Sequence, residues 1–295
     1  MTLVSALYAG IEAGGTKFNC VVGTDPFTIL ARERFATTTP SETLGRVKDF
    51  FLSQASEHGE FAGIGIGCFG PLDLNPGSNT YGYITATPKP HWSQTDIAGF
   101  FSSALDVPVS FDTDVNCAAL GEYHCGAARG RPNFVYVTVG TGIGAGVFVD
   151  GKPLNGIAHT EFGHILVPRD PGDTFKGHCP FHTDCLSALA CGPAIEARWG
   201  CKGHELPENH EAWDLQAHYL AIMCVNITLS YSPEIIILGG GVMDQAHLFP
   251  KIRRRFVELM NGYMIPDINP SDYIVPTGLQ GASGEVGAMV MAVGG

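Results

Sequence analysis

YAGIEAGGTKF (8–18) carries one strand into two adjacent glycines and out into a second strand. Paired glycines let a backbone approach a ligand closely and turn its N–H groups toward an anion. Gly14, Gly15, Thr16 and Lys17 also suit a plain hairpin turn, and a hairpin can itself hold phosphate. This is not a P-loop, whose GxxxxGK[ST] leads into a helix. FVYVTVGTGIGAGVFVDG (134–151) repeats the theme, with Gly140, Thr141, Gly142 and Gly144 between two strands. A third cluster, Gly239-Gly240-Gly241, follows the apolar run EIIIL, and ligands of open α/β sheets sit beyond the carboxyl ends of strands. Each turn is a weak signal alone. Three, each after a strand, point to a nucleotide held by backbone amides.

Working outward, alternation and apolar runs place strands at 7–13, 18–23, 28–36 and 62–67, with a helix at 42–57. VPVSF (107–111) reads as a strand, DTD as a turn and VNCAALGEYHCG as a helix ending on Gly126. In the second half, helices are expected at 211–230, 245–262 and 283–293, the first apolar on nearly all sides and so buried. Two β-first halves argue an α/β chain of two lobes. The expected division is a lobe at 1–118, onto which the last helix (about 283–295) packs, and a larger lobe at 119–282.

Composition supports a compact core: 295 residues, 45% hydrophobic and 16% charged. A net charge of −12 argues against nucleic-acid partners, which need a basic face, but not against a nucleotide. KIRRR (251–255) then reads as the wet face of a helix, and Trp92, Trp199 and Trp213 as packing residues. The first residues lack a signal-peptide pattern, and no run nears the roughly 20 apolar residues of a membrane span. Nine cysteines, several in apolar segments, fit a reducing compartment. A cytoplasmic protein is expected.

Two constellations carry chemistry. Asp112 and Asp114 flank Thr113 between a strand and a helix. Either could accept a hydroxyl proton during phosphoryl transfer, or simply cap the helix; the residues alone do not choose between them. CPFHTDC sets Cys179, His182 and Cys185 in C-x2-H-x2-C spacing, with His164 upstream. Two thiolates and two imidazoles form a closed tetrahedral set that suits structural Zn²⁺; His178 or His159 could replace one ligand. Glu161 lies three residues before His164, so a single local helical turn would direct both the same way.

Together these motifs resemble the ROK family (repressors, open reading frames and sugar kinases), most closely its zinc-containing fructokinases. The resemblance runs over nearly the whole chain: GIEAGGTK at 10–17, GCFGPLDL at 67–74, YGYITATPKPHW at 81–92, DTDVNCAALGE at 112–122, VGTGIGAG at 139–146, EFGH at 161–164, CPFHTDC at 179–185, GPAIEARWG at 192–200 and ILGGGV at 237–242. It implies the actin-like ATPase (ribonuclease H-like) fold, with the active site in the cleft between two lobes, and a homodimer. It implies an ATP- and Mg²⁺-dependent hexose kinase, with fructose favoured as the substrate and fructose 6-phosphate as the product. Asp114 would be the catalytic base. ATP would lie on Gly14, Gly15, Thr16 and Lys17, on Gly140, Thr141 and Gly142, and near Gly239 and Gly240. Glu161 and His164 would meet sugar hydroxyls, His164 also binding zinc, and Glu12 would orient Mg²⁺-bound water. Residues of YGYITATP would line the sugar pocket.

Two positions depart from the family pattern. Thr113 replaces the Asn that often precedes the catalytic Asp, and Cys185-Leu186-Ser187-Ala188 stands where the family reads Cys-Leu-Glu-Gly. Losing that charged acceptor would weaken sugar binding by about 1.5–3 kcal/mol, so Ser187→Glu is expected to tighten it. The alternatives are a kinase for glucose, mannose or an N-acetylhexosamine, or a catalytically weakened sugar-binding protein. A family repressor is disfavoured, because about ten residues precede the first glycine turn, too few for a helix-turn-helix domain.

Overall fold

The computed structural model describes residues 6–263 and 268–294. Residues 1–5 of the expected first lobe and residue 295 of the expected last helix lie outside them. The chain forms two compact units. One comprises the described residues of Met1–Gly126, Asn155–His159 and Gly278–Gly295; the other comprises those of Ala127–Leu154 and Thr160–Thr277. The first unit thus runs past residue 118 and takes back a short segment from the middle of the chain.

In the first unit, β1 (Leu7–Ala13), β2 (Lys17–Gly23), β3 (Ile29–Ala36) and helix α1 (Pro40–His58) lead into β4 (Phe61–Cys68). A two-stranded ribbon, β5 (Tyr83–Ile84) with β6 (Thr95–Asp96), precedes helix α2 (Ile97–Leu105), β7 (Val109–Thr113) and helix α3 (Asp114–Cys125). The sheet order is β3-β2-β1-β4-β7. β1, β2 and β3 pair antiparallel, whereas β1–β4 and β4–β7 are parallel.

The second unit holds β8 (Phe134–Val139), β9 (Ile143–Val149), β10 (Lys152–Pro153), helices α4 (Leu186–Ala190), α5 (Gly192–Trp199) and α6 (Ala212–Tyr231), β11 (Ile235–Gly239), helices α7 (Leu248–Met260) and α8 (Pro270–Tyr273), and β12 (Ile274–Pro276). Its sheet order, β10-β9-β8-β11-β12, repeats the first with the same sequence of antiparallel and parallel pairs. The turns after β1 and after β8 therefore occupy equivalent places in two copies of one topology. Helix α9 (Ser283–Val293) returns to the first unit.

β4 explains how α9 seats there. In FAGIGIGC the side chains of Ile64, Ile66 and Cys68 enter the core, while the glycines line the opposite face. A Cβ at Gly65 would lie 2.0 Å from the Ala288 carbonyl oxygen, and one at Gly67 would lie 2.4 Å from the Cys117 Cβ. The glycines thus let α9 and α3 lie directly on the strand. Gly287 continues the contact, since a Cβ there would meet the Cys117 oxygen at 1.8 Å.

Glu122, wholly buried on α3, then locks the entry to α9. Its carboxylate accepts from the Gly278 N–H (2.9 Å), the Leu279 N–H (3.2 Å) and the Ser283 hydroxyl (2.7 Å). Glu122→Ala leaves three donors without their carboxylate, that of Ser283 buried, and is expected to destabilise the protein by about 3 kcal/mol. Urea unfolding should show a lower midpoint, with Glu122→Gln falling between the variant and the wild type.

Several elements were not legible beforehand. Helices α2, α4, α5 and α8 and strand β12 lie in segments with weak periodicity, and residue 114 opens a helix rather than a turn. Helix α6 buries Trp213, Tyr219, Leu220 and Ile227, but Leu229 is exposed. KIRRR is only partly a wet face: Ile252 is buried, Arg253 Nε donates to the Ile274 carbonyl (2.9 Å), and Arg255 Nε bonds His218 Nδ1 (3.2 Å). Trp92 and Trp213 are buried, their indole N–H groups donating to the Thr38 and Pro207 carbonyls. No helix among the described residues is long and apolar enough to cross a membrane.

Candidate active site and metal centre

The first turn is a hairpin: the Gly14 N–H donates to the Lys17 carbonyl (2.9 Å), leaving Gly15 and Thr16 at the tip. Thr37 braces it, its hydroxyl donating to the Gly14 oxygen (2.7 Å) and its N–H to the Thr16 oxygen (3.0 Å). Hairpin register sets Glu12 opposite Asn19, whose amide donates to the Glu12 carboxylate (2.7 Å). Arg34 Nε donates in turn to Asn19 (2.9 Å). Burial raises the Glu12 pKa above its ordinary value, against the opposing Asn19 bond.

In the second unit the Gly140 N–H donates to the Gly142 carbonyl (2.8 Å), folding the chain over an exposed Thr141. A Cβ at Gly15, Gly140 or Gly142 would meet no atom within 4 Å, so internal packing does not require glycine there. Gly240 differs: its φ is +88°, and a Cβ would lie 2.6 Å from the Val139 nitrogen. Parallel pairing of β8 with β11 sets Gly239 beside Thr138, and the Val242 N–H donates to the Val139 carbonyl (3.0 Å). The glycines near 140 and 239, a hundred residues apart, thus share one sheet end. The Gly192 N–H, at the start of α5, donates to the Gly140 oxygen (2.7 Å) and completes that corner.

Asp112 is the penultimate residue of β7 and Asp114 begins α3, both half-buried. Neither is the cap. That place belongs to Thr113, whose hydroxyl accepts the Asn116 N–H (3.1 Å). Asp112 Oδ1 accepts from the Thr113 N–H (2.7 Å) and the Asn116 amide (2.8 Å), and Asp114 Oδ1 from the Val115 N–H (2.9 Å). Burial raises the Asp112 pKa, opposed by those bonds and by the charge of nearby His159. Burial pushes the Cys117 thiol well above its ordinary range, and Glu12, Asp112 and Asp114 all add to the shift. A thiol held so far toward its neutral form is a packing group rather than a nucleophile. Tyr81 also feels Asp112: burial first, then that carboxylate, raises its phenol pKa.

Glu161 and His164 bracket a 3₁₀ turn, the His164 N–H donating to the Glu161 carbonyl (2.9 Å). Side chains three apart eclipse on such a turn, the local geometry their spacing implied. Gly163 between them is obligatory, since a Cβ there would lie 1.8 Å from the Ile143 oxygen.

The ligand atoms of His164, Cys179, His182 and Cys185 all lie within 4.8 Å of one another. Cys179 Sγ is 3.7 Å from His164 Nδ1 and 4.0 Å from His182 Nδ1, and Cys185 Sγ is 3.6 Å from His164 Nδ1. Tetrahedral zinc, with Zn–S about 2.3 Å and Zn–N about 2.0–2.1 Å, sets sulfur and nitrogen about 3.5 Å apart, so the four residues fit the ion. Backbone N–H groups of Phe181 and Ala188 also reach the two sulfurs, at 3.4 and 3.3 Å, as thiolates require. His159 is not in this set; its Nε2 accepts the Leu72 N–H (3.1 Å) in the other unit. His178 is also outside it.

Ser187 is buried, its hydroxyl accepting the Ile143 N–H (3.0 Å), and a Cβ at Gly163 would lie 2.8 Å from it. The packing around Ser187 argues for a different outcome from a substitution by Glu. A Glu must give up the Ile143 bond and push a carboxylate into a filled corner. Ser187→Glu is expected to cost about 1–3 kcal/mol of stability and to leave hexose KM no lower, measured by thermal unfolding and a sugar titration.

The repeated sheet order of both units is that of an actin-like ATPase fold, and the solved structures that match it agree. A ROK hexokinase from Thermus thermophilus superposes with a TM-score of 0.79 at 26% identity, covering 97% of this chain and 98% of that one. A ROK family glucokinase from Streptomyces griseus, solved with glucose and AMPPNP, gives 0.77 at 23% identity over 98% and 100%. A fructokinase from Pediococcus pentosaceus is 45% identical over 287 residues, 97% of each chain. The ROK family matches residues 8–294. The chain belongs to the ROK family.

Proposed function

We propose that this protein is an ATP-dependent hexose kinase that phosphorylates fructose at its 6-hydroxyl. The observation that carries the reading is the 45% identity to a fructokinase across 97% of both chains. The sites described above support it. The turn amides of Gly14, Gly15 and Thr16, with Lys17 beside them, and those of Gly140, Thr141 and Gly142 bind the ATP phosphates; the adenosine lies near Gly239 and Gly240. Mg²⁺ bound with ATP would supply charge neutralisation at the phosphates, and Glu12 would be the residue that orients its water. Glu161 and His164 accept and donate hydrogen bonds at sugar hydroxyls. Asp114 takes the proton of the attacking hydroxyl as its oxygen bonds to the γ-phosphorus and ADP leaves.

His164, Cys179, His182 and Cys185 hold a structural Zn²⁺. His164 Nδ1 is the nitrogen nearest both thiols, so Nε2 carries the ring proton and donates to the sugar. A panel of fructose, glucose, mannose and N-acetylhexosamines, read by ADP release and by the phosphate position in the product, tests the assignment. Fructose should give the highest kcat/KM. No hexose-dependent ADP release would sink the kinase reading, and faster turnover of another sugar would move it to that substrate.

A further inference from the structure

Residues 155–159 leave the second unit and join the first, ending on His159. The ring lies flat enough on the chain that a Cβ at Gly70 would sit 3.3 Å from both its Cε1 and its Nε2. Because Nε2 accepts the Leu72 N–H, the neutral ring carries its proton on Nδ1. Leu72 bridges to Ile84, while the N–H and hydroxyl of Thr85 donate to the Pro71 oxygen at 2.8 and 3.1 Å. One imidazole thus fixes GPL (70–72) and, through it, the ITA end of YGYITATP. Asp112, two residues before Asp114, has His159 nearby and lies close enough to Tyr81 of the same segment to raise its phenol pKa.

We propose that His159 is a positioning residue for the sugar. By accepting the Leu72 N–H it sets the 70–72 and 81–85 segments against the β7–α3 corner, and so governs affinity for hexose rather than for ATP. The proposal rests on the hexose-kinase reading and adds a residue that the sequence motifs leave without a role.

His159→Ala and His159→Gln test it. The alanine variant should raise fructose KM about tenfold or more, since a small misplacement of positioning groups is costly, with ATP KM within about twofold. Glutamine can offer Oε1 where Nε2 stood, and should recover most of the loss. A fructose KM unchanged in His159→Ala, a glutamine variant no better than alanine, or fructose and ATP KM rising together with a falling Tm would each overturn the proposal. If the wild type shows no turnover with any hexose, the kinase reading fails by itself. The rise in Tm caused by fructose, lost in alanine and regained in glutamine, then still decides the role of His159; no such pattern refutes it.

Discussion

Asp114→Asn is expected to lower fructose-dependent kcat by about 10²–10⁴-fold while leaving ATP affinity and folding nearly intact. Asn is isosteric and keeps an oxygen for the Val115 N–H. What it lacks is a site for the proton of the attacking hydroxyl. Its helix position adds only a small stability change, about 0.3–1 kcal/mol, from loss of an anion at the start of α3. Asp112→Asn is the control. The Asp112 carboxylate is engaged by the Thr113 N–H and the Asn116 amide, and a neutral amide oxygen can accept both, so a smaller loss is expected. Stopped-time ADP release at saturating substrates distinguishes the two. If Asp114→Asn turned over at the wild-type rate, the proton acceptor would have to be sought elsewhere, Asp112 first.

Purified protein should contain about one zinc per chain by elemental analysis, as four closed ligands demand. Stripping it with a strong chelator should lower Tm by on the order of 10 °C, because several kcal/mol of binding energy are linked to folding of the loop. Loss of order should be local at first. The loop has a second anchor independent of metal: Arg198 pairs with Asp173 (3.0 Å), Tyr219 donates to the same carboxylate (2.7 Å), and Arg169 bonds Asp184 and the Phe175 carbonyl. Donation to Asp173, after burial itself, pushes the Tyr219 phenol up to about 12. Residues 176–182, outside that network, should therefore loosen first, and trypsin should cut after exposed Lys176 faster in the stripped protein. Cys185→Ser should mimic the chelator, since this residue both faces His164 and receives the Ala188 N–H at the start of α4. An absence of zinc, or a chelator without effect on Tm or cleavage, would end the metal assignment.

What the sequence by itself determined is local. Strand–Gly–Gly–strand at 8–18 and strand–Gly–Thr–Gly–strand at 134–149 suit tight hairpins and close as such, because turn chemistry acts over four or five residues. The Cys-x2-His-x2-Cys array and the three-residue step from Glu161 to His164 were likewise legible from spacing. Asn19 as the partner of Glu12 was within reach, since a hairpin turning at Gly15-Thr16 fixes that pair.

Tertiary structure decided the rest. Thr113 is the helix cap, which frees the question of two aspartates from the bland answer, and this depends on where β7 hands over to α3. Ser187 is committed to the Ile143 backbone across 44 residues, and Glu122 to the entry of α9 across more than 150. The glycines of 140 and 239 become neighbours only when β8 and β11 pair in parallel. Such partners are chosen by which faces of sheet and helix can be buried together. That choice belongs to the whole chain, and no short window of sequence contains it.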